Sequence, residues 1–253
     1  MKKLKLTILM PCLNEEKTLR KCLVEATNFL KDNNINGEVL VADNGSTDNS
    51  INIIKECNVR YINVKDKGYG NALKAGFKES KGKYIIMGDS DNSYDFYNLM
   101  PFIDKLDQGY DLVMGNRFKG GIEKGAMPFI NRYIGNPILS FLAKVCFPCN
   151  INDFHCGLRG FPKDKILKLN LESPGMELAS EIVIKSVINN YQTIEIPTVL
   201  RNNGVERKPH LRPFRDGMRH LKLIIKLKKN KKWCFKKASF FLYLWFYIGW
   251  NTI

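Results

Sequence analysis

The sequence predicts an α/β protein built on a doubly wound, mostly parallel sheet, and three observations carry that expectation. Short apolar runs alternate with helix-spaced segments up to about residue 115, each run ends in polar or turn-forming residues, and 253 residues suffice to bury one such core. The runs are continuous, as strands covered on both faces require. A hydrophobic share of 44% beside 26% charged residues excludes a disordered or fibrous chain.

Taken in order, Leu6–Met10 reads as a strand that stops at Pro11, and Leu19, Leu23, Ala26 and Leu30 fall at helical spacing within residues 15–30. Strands follow over residues 38–42, 59–64, 84–87 and 111–115, with helices over 50–56, 72–78 and 97–106 between them. Beyond Arg117 the alternation loosens. Gly120, Gly121 and Gly125 mark a mobile loop. Residues 128–147 read as a helix that is apolar nearly all round and interrupted by Pro137, which suits either a deep core or lipid. Phe214, Met218, Leu221 and Ile225 form an apolar stripe, with Arg215, Arg219, Lys222 and Lys226 one residue on. That pattern fits a helix lying on a membrane, and equally a helix docked on its own domain.

The net charge is +15, and most of the excess lies between Arg201 and Lys237, where only Glu206 and Asp216 oppose it. Such a block implies an anionic partner, either a phospholipid surface or a nucleic acid. The run ASFFLYLWFYI at 238–248 favours the anionic membrane surface. It falls short of the roughly 20 apolar residues of a spanning helix, so peripheral or re-entrant attachment is expected. No reading helix or stacking module argues for nucleic acid. These features divide the chain into a folded body at 1–212 and a basic, membrane-associating tail at 213–253. Met1–Lys5 leads into the first apolar run without a cleavable leader, so the body is expected on the cytoplasmic side. Seven scattered cysteines suit a reducing compartment. Cys146, Cys149, His155 and Cys156 make a poor zinc set, because adjacent His and Cys rarely reach one tetrahedral ion.

The pattern that carries chemistry is Asp89-Ser90-Asp91, directly after the apolar run ending at Gly88. A strand that stops on two carboxylates puts both in the crevice beyond its carboxyl end, where open α/β sheets bind ligands. Mg²⁺ and Mn²⁺ favour such oxygens and bridge them to phosphate, although Asp-x-Asp also arises in ordinary turns. Three further elements occupy comparable places: Pro11-Cys12-Leu13-Asn14-Glu15-Glu16 after the first strand, Asp43-Asn44-Gly45-Ser46-Thr47-Asp48 after the second, and Lys67-Gly68-Tyr69-Gly70-Asn71-Ala72 at a helix start. Together the four resemble the family 2 glycosyltransferases of the GT-A fold, over most of residues 1–200. Gly115-Asn116-Arg117, the stretch Asp153–Phe161 and the basic tail are most similar to members that glycosylate polyprenyl phosphates.

The resemblance implies a GT-A (Rossmann-like), mostly parallel twisted sheet flanked by helices, with C-terminal amphipathic or membrane-interface helices. It implies a metal-dependent, inverting transfer of a sugar from a nucleoside-diphosphate sugar to a polyprenyl phosphate. Asp91 and Asp89 are the expected ligands of Mg²⁺ or Mn²⁺. Pro11, Leu13, Asn14, Glu15, Asp43, Gly68, Gly70 and Asp89 are the expected nucleotide contacts. Arg117, Arg132, Arg207 and Lys208 are expected on the phosphates of the acceptor side, Arg117 foremost because it follows a strand end. Ser93 stands where some synthases carry Gln, which leaves phosphate oxygens and water to complete the metal's shell. Asp153 is the candidate base if one is required; an acceptor phosphate is already anionic and needs orientation more than deprotonation. The alternative within the family is a hydroxyl acceptor, which would depend on Asp153. The alternatives of another class are a basic nucleic-acid-binding protein and a catalytically inactive membrane scaffold.

Overall fold

The computed structural model describes residues 4–204 and 213–229. Strands β1 (Leu6–Cys12), β2 (Gly37–Asp43), β3 (Arg60–Asn63), β4 (Tyr84–Met87), β5 (Leu112–Asn116), β6 (Arg159–Pro162) and β7 (Thr193–Pro197) form one sheet in the order β3-β2-β1-β4-β6-β5-β7. All pair in parallel except β6, which runs antiparallel between β4 and β5. Every residue of β1 is buried, as its interior place in a sheet covered on both faces requires. The carboxyl ends of β1, β2, β4 and β5 therefore open on one side of the sheet, and the loops after them share that edge.

The helices are α1 (Leu19–Asp32), α2 (Ser50–Glu56), α3 (Tyr69–Glu79), α4 (Met100–Asp107), the short α5 (Arg117–Gly120), α6 (Asn136–Cys146), α7 (Lys163–Lys168), α8 (Leu178–Ile188) and α9 (Pro213–Lys229). Leu9, Met10, Val41, Ile85, Ile86 and Val113 fill the sheet's faces, and Phe77 of α3 meets Phe161 of β6 edge-on at 5.2 Å between ring centroids. Burying one such side chain contributes roughly 1.5–3 kcal/mol.

Differences from expectation have local causes. The first helix starts at Leu19, because the amides of Thr18 and Leu19 both donate to the carbonyl of Glu15 and close a turn there. Pro137 offers no N–H to the carbonyl of Tyr133, and the chain takes a π-helical turn at Asn131–Gly135 immediately before α6. The glycine loop expected to be mobile is pinned at Ile122, which bridges Leu200, and at Glu123, whose amide donates to the Leu200 carbonyl at 3.0 Å. The inward side of α9 carries Leu221, Leu223 and Ile224, buried where the helix packs on α6 and α8. Of the two readings of that segment, the structure shows the docked helix and not one whose apolar side faces a membrane. Among the described residues no helix is long and apolar enough to cross a membrane. The apolar run at 238–248 lies outside the described residues, as do Arg207 and Lys208.

Candidate active site

The loops that end β1 and β2 brace one another. Asn14, held at φ 58°, accepts the Thr47 amide on its Oδ1 at 2.8 Å, and its own amide donates to Ser46 Oγ at 2.9 Å. The amides of Glu15 and Glu16 donate to Ser50 Oγ and Asp48 Oδ2. Ser46 and Asp48 thus brace the two loops, and Asp48 Oδ1 also accepts the amide of Ser50 at the start of α2 at 3.0 Å. Asp43 is buried at the end of β2, where its Oδ2 accepts the amides of Gly45 at 2.9 Å and Ser46 at 3.2 Å. Pro11 is buried at the end of β1, and its carbonyl accepts Ser90 Oγ at 2.7 Å, tying that strand to the Asp89–Asp91 loop. Leu13 is half-buried beside it. The expected nucleotide side is therefore a rigid wall.

Asp89 and Asp91 follow β4 at the crevice. Tyr69 Oη donates to Asp89 Oδ1 at 2.8 Å, and a Cβ at Gly157 would fall 2.3 Å from Asp89 Oδ2. Asp91 Oδ1 accepts the Ser93 amide at 3.0 Å. Burial, and next the like charge of Asp91, push Asp89 up to about 6, while Tyr69 and Arg159 oppose the shift and Glu15 adds to it. A half-buried set of hard carboxylates that repel one another fits a divalent cation. Among the described residues no three His, Cys, Asp or Glu side chains converge on one metal position, so protein would supply two ligands at most from this pair.

Arg117 and Asp153 are brought together. Nε and Nη2 of Arg117 donate to Asp153 Oδ2 and Oδ1 at 2.8 and 2.7 Å, and the Arg117 amide adds a third bond at 3.0 Å. Asp153 is fully buried and Arg117 nearly so. Glu195 of β7 accepts the amides of Asn152 and Asp153 and the side chain of Asn116, which together hold its carboxyl below the usual range against the upward push of burial. The pair is thus a built ion pair at the end of β5, in which Asp153 serves Arg117. Arg132 stands on the π-helical turn, its guanidinium 5.3 Å from the Tyr133 ring.

Gly68 and Gly70 do permit close backbone approach, and the partner is the chain itself. A Cβ at Gly68 would fall 2.3 Å from the Pro174 carbonyl oxygen, and the Gly70 amide donates to that oxygen at 2.9 Å. Sequence reasoning missed Asn44, whose side chain joins the ends of β2 and of the 64–68 loop through Val64, Asp66 and Gly68. It missed the roles of Tyr69 and Arg159 too. Arg159 is buried and donates to the carbonyls of Cys156, Ala179 and Phe154. Both lay inside quoted motifs, Tyr69 between two glycines and Arg159 between a leucine and a glycine, and neither position signals its contacts.

The family model described as "Glycosyl transferase family 2" matches residues 7–169, more than half of the chain. The chain belongs to that family. Within the family, it is 35% identical over 87% of its length to a low-salt glycan biosynthesis hexosyltransferase of Haloferax volcanii, and it spans only 53% of that relative's length. A dolichyl-phosphate hexose transferase of the same organism is 28% identical, with 88% of this chain and 93% of the relative covered. Among solved structures, glucosyl-3-phosphoglycerate synthase of Mycobacterium tuberculosis in complex with UDP shares the fold at a TM-score of 0.69 and 17% identity, covering 88% of this chain and 79% of its own. The mostly parallel seven-stranded sheet is accordingly the GT-A-like fold of a family 2 glycosyltransferase.

Proposed function

We propose that this glycosyltransferase moves a sugar from a nucleoside-diphosphate sugar to a polyprenyl phosphate at the cytoplasmic face of a membrane, with inversion and with a divalent cation. The observation that carries the reading is the Asp89–Asp91 pair, mutually repelling at the end of β4 beside the braced loops of β1 and β2. Relatives named as dolichyl-phosphate hexose transferase and dolichol-phosphate mannosyltransferase support the acceptor class. Fold neighbours crystallised with UDP and Mn²⁺ or Mg²⁺ support the donor and the cation.

Asp89 and Asp91 would hold the cation, which supplies positive charge to a departing diphosphate. Tyr69 fixes the direction of the Asp89 carboxylate, and the absent side chain of Gly157 leaves room for it. Asp43, Pro11, Leu13, Asn14 and Glu15 wall the nucleotide, and the Gly68–Gly70 turn seats the start of α3 beside it. A polyprenyl phosphate arrives ionised, so the residues around it orient and neutralise rather than deprotonate. An Asp153 whose two oxygens are both held by Arg117 suits that requirement and counts against a hydroxyl acceptor. Arg117, Arg132, Arg207 and Lys208 are the proposed cations of the acceptor side.

The test is transfer from radiolabelled nucleotide sugars to undecaprenyl or dolichyl phosphate in detergent. Label is expected in the lipid phosphate, and loss of that label is expected with EDTA or with Asp91→Ala. Label that survives both would remove the cation, and label found only on a hydroxyl acceptor would overturn the acceptor class.

A further inference from the structure

The π-helical turn and α6 are turned inside out for a helix in water. Along residues 128–141 the exposed positions are Pro128, Phe129, Ile130, Tyr133, Pro137 and Phe141, whereas Ser140 is buried and Asn131 and Asn136 are half-buried. A surface helix ordinarily shows the reverse. Phe129, Ile130, Tyr133 and Phe141 are 71%, 60%, 57% and 49% exposed, too much contiguous apolar surface to leave to solvent. Phe129, Tyr133, Pro137 and Phe141 recur every four residues and form one stripe about 18 Å long at the helical rise. The rings of Phe129 and Tyr133 already touch, with centroids 4.7 Å apart.

We infer that this stripe is the surface by which the chain enters the headgroup layer of an anionic lipid bilayer. Charge selects the occupant. From Phe118 to Asn152 the cations Lys119, Lys124, Arg132 and Lys144 face a single acid, Glu123. Arg132 stacks on Tyr133 within the stripe itself. Packed against α6 and the π-helical turn, α9 turns Arg215, Arg219, Lys222 and Lys226 outward, Lys226 also bridging Glu172. An aromatic stripe bordered by cations matches the chemistry of a helix lying in an anionic interface, where rings sit at headgroup depth and cations meet lipid phosphates. The stripe begins at Phe129, twelve residues along the chain from Arg117 at the end of β5, and under the polyprenyl-phosphate reading a membrane met by the stripe would also hold that acceptor. The inference deepens the polyprenyl-phosphate reading and rests on it for that last step alone.

The experiment is co-sedimentation of the full chain with vesicles of equal parts phosphatidylcholine and phosphatidylglycerol, without sugar nucleotide. Phe129→Ser/Tyr133→Ser/Phe141→Ser is expected to bind at least ~10-fold more weakly than wild type, and Phe129→Trp to bind as wild type does. Hydrogen exchange of the unmodified chain supplies a readout free of any folding defect: adding vesicles is expected to slow exchange across residues 128–146. Unchanged binding by the triple variant together with unchanged exchange there would overturn the inference. So would exchange already protected without vesicles, which would mean that another part of the chain covers the stripe. A wild-type dimer made monomeric by the triple variant, with vesicle binding intact, would assign the stripe to a second copy and likewise overturn it. Sugar transfer does not enter any of these measurements. Stripe contact without transfer would therefore contradict only the proposed activity, and transfer in detergent without stripe contact only this inference.

Discussion

At the scale of single residues, the affinity of the proposed cation site turns on how Asp89 is held. Its folded pKa of about 6 lies above the ordinary 3.8, so its protonated form stabilises the metal-free fold at low pH. That contribution is lost as pH rises from the unfolded value through about 6, the range over which a cation gains its ionised ligand. Tyr69→Phe removes a hydrogen bond to the ionised form and is expected to move the midpoint of Mn²⁺ binding to higher pH, read by titration of the metal's paramagnetic signal. An unmoved midpoint would mean that the phenol does not act on Asp89. Gly157→Ala should weaken Mn²⁺ binding several-fold or more in the same titration, because its Cβ would fall 2.3 Å from Asp89 Oδ2, and should lower the unfolding transition too, because that Cβ would also meet the buried Tyr94 ring at 3.0 Å. The two members of the Arg117–Asp153 pair were each legible as chemically interesting in the sequence, but 36 residues separate them and nothing in either motif shows that they bond. Asp153→Ala leaves the guanidinium buried without its partner and is expected to cost about 3 kcal/mol or more of stability in denaturant titration.

At the scale of elements, β1, β2, β4 and β5 were readable because burial on both faces writes an apolar run, and the half-buried edge strand β3 was readable as well. The antiparallel β6 was not readable, because its four residues Arg159–Pro162 include an arginine whose donors satisfy backbone carbonyls inside the fold. The stripe of α9 was legible only in part, since Leu221 is buried while Met218 and Ile225 are half-buried and Leu223 and Ile224 take inward places, and periodicity does not say what covers a face. What covers it includes a histidine pair. His220 of α9 shares a 2.7 Å hydrogen bond with Ser180 of α8, and its ring lies edge-on to His155 at 4.8 Å. Burial drives His220 down to about 4 with Asp216 opposing, and drives His155 well below its usual value, with His220, Arg117 and Arg159 adding to the effect. Histidines with folded values below the unfolded one take up protons first in the unfolded chain. The histidines' contribution to stability is therefore full above about pH 6.5 and falls as pH drops from there, by up to about 1.4 kcal/mol per pH unit for each histidine. Thermal melts at stepped pH should show this slope, and His220→Gln should make it shallower. An unchanged slope would remove His220 from the linkage.

At the scale of the whole molecule, the sheet brings four separately encoded loops to one edge, which is why a sequence could point to the site before any contact was known. The order of the motifs along the chain follows the order of the strands, and the parallel pairing of β1 with β2 and with β4 does the rest. Less legible was the far side of the crevice, where Arg117, Asp153 and Glu195 meet through β5 and β7, elements whose spacing carries no common signal. Its charge is distributed to match the proposed use: acids gather at the donor end, and most of the +15 excess lies in the C-terminal part of the chain. In the proposed reaction Asp89 and Asp91 couple a divalent cation to the donor's diphosphate. Calorimetric titration of the chain with nucleoside diphosphate, with Mn²⁺ and then with EDTA, tests it most directly. Binding is predicted to require the cation and to disappear in Asp91→Ala; equal affinity with and without the cation, undiminished in that variant, would contradict it.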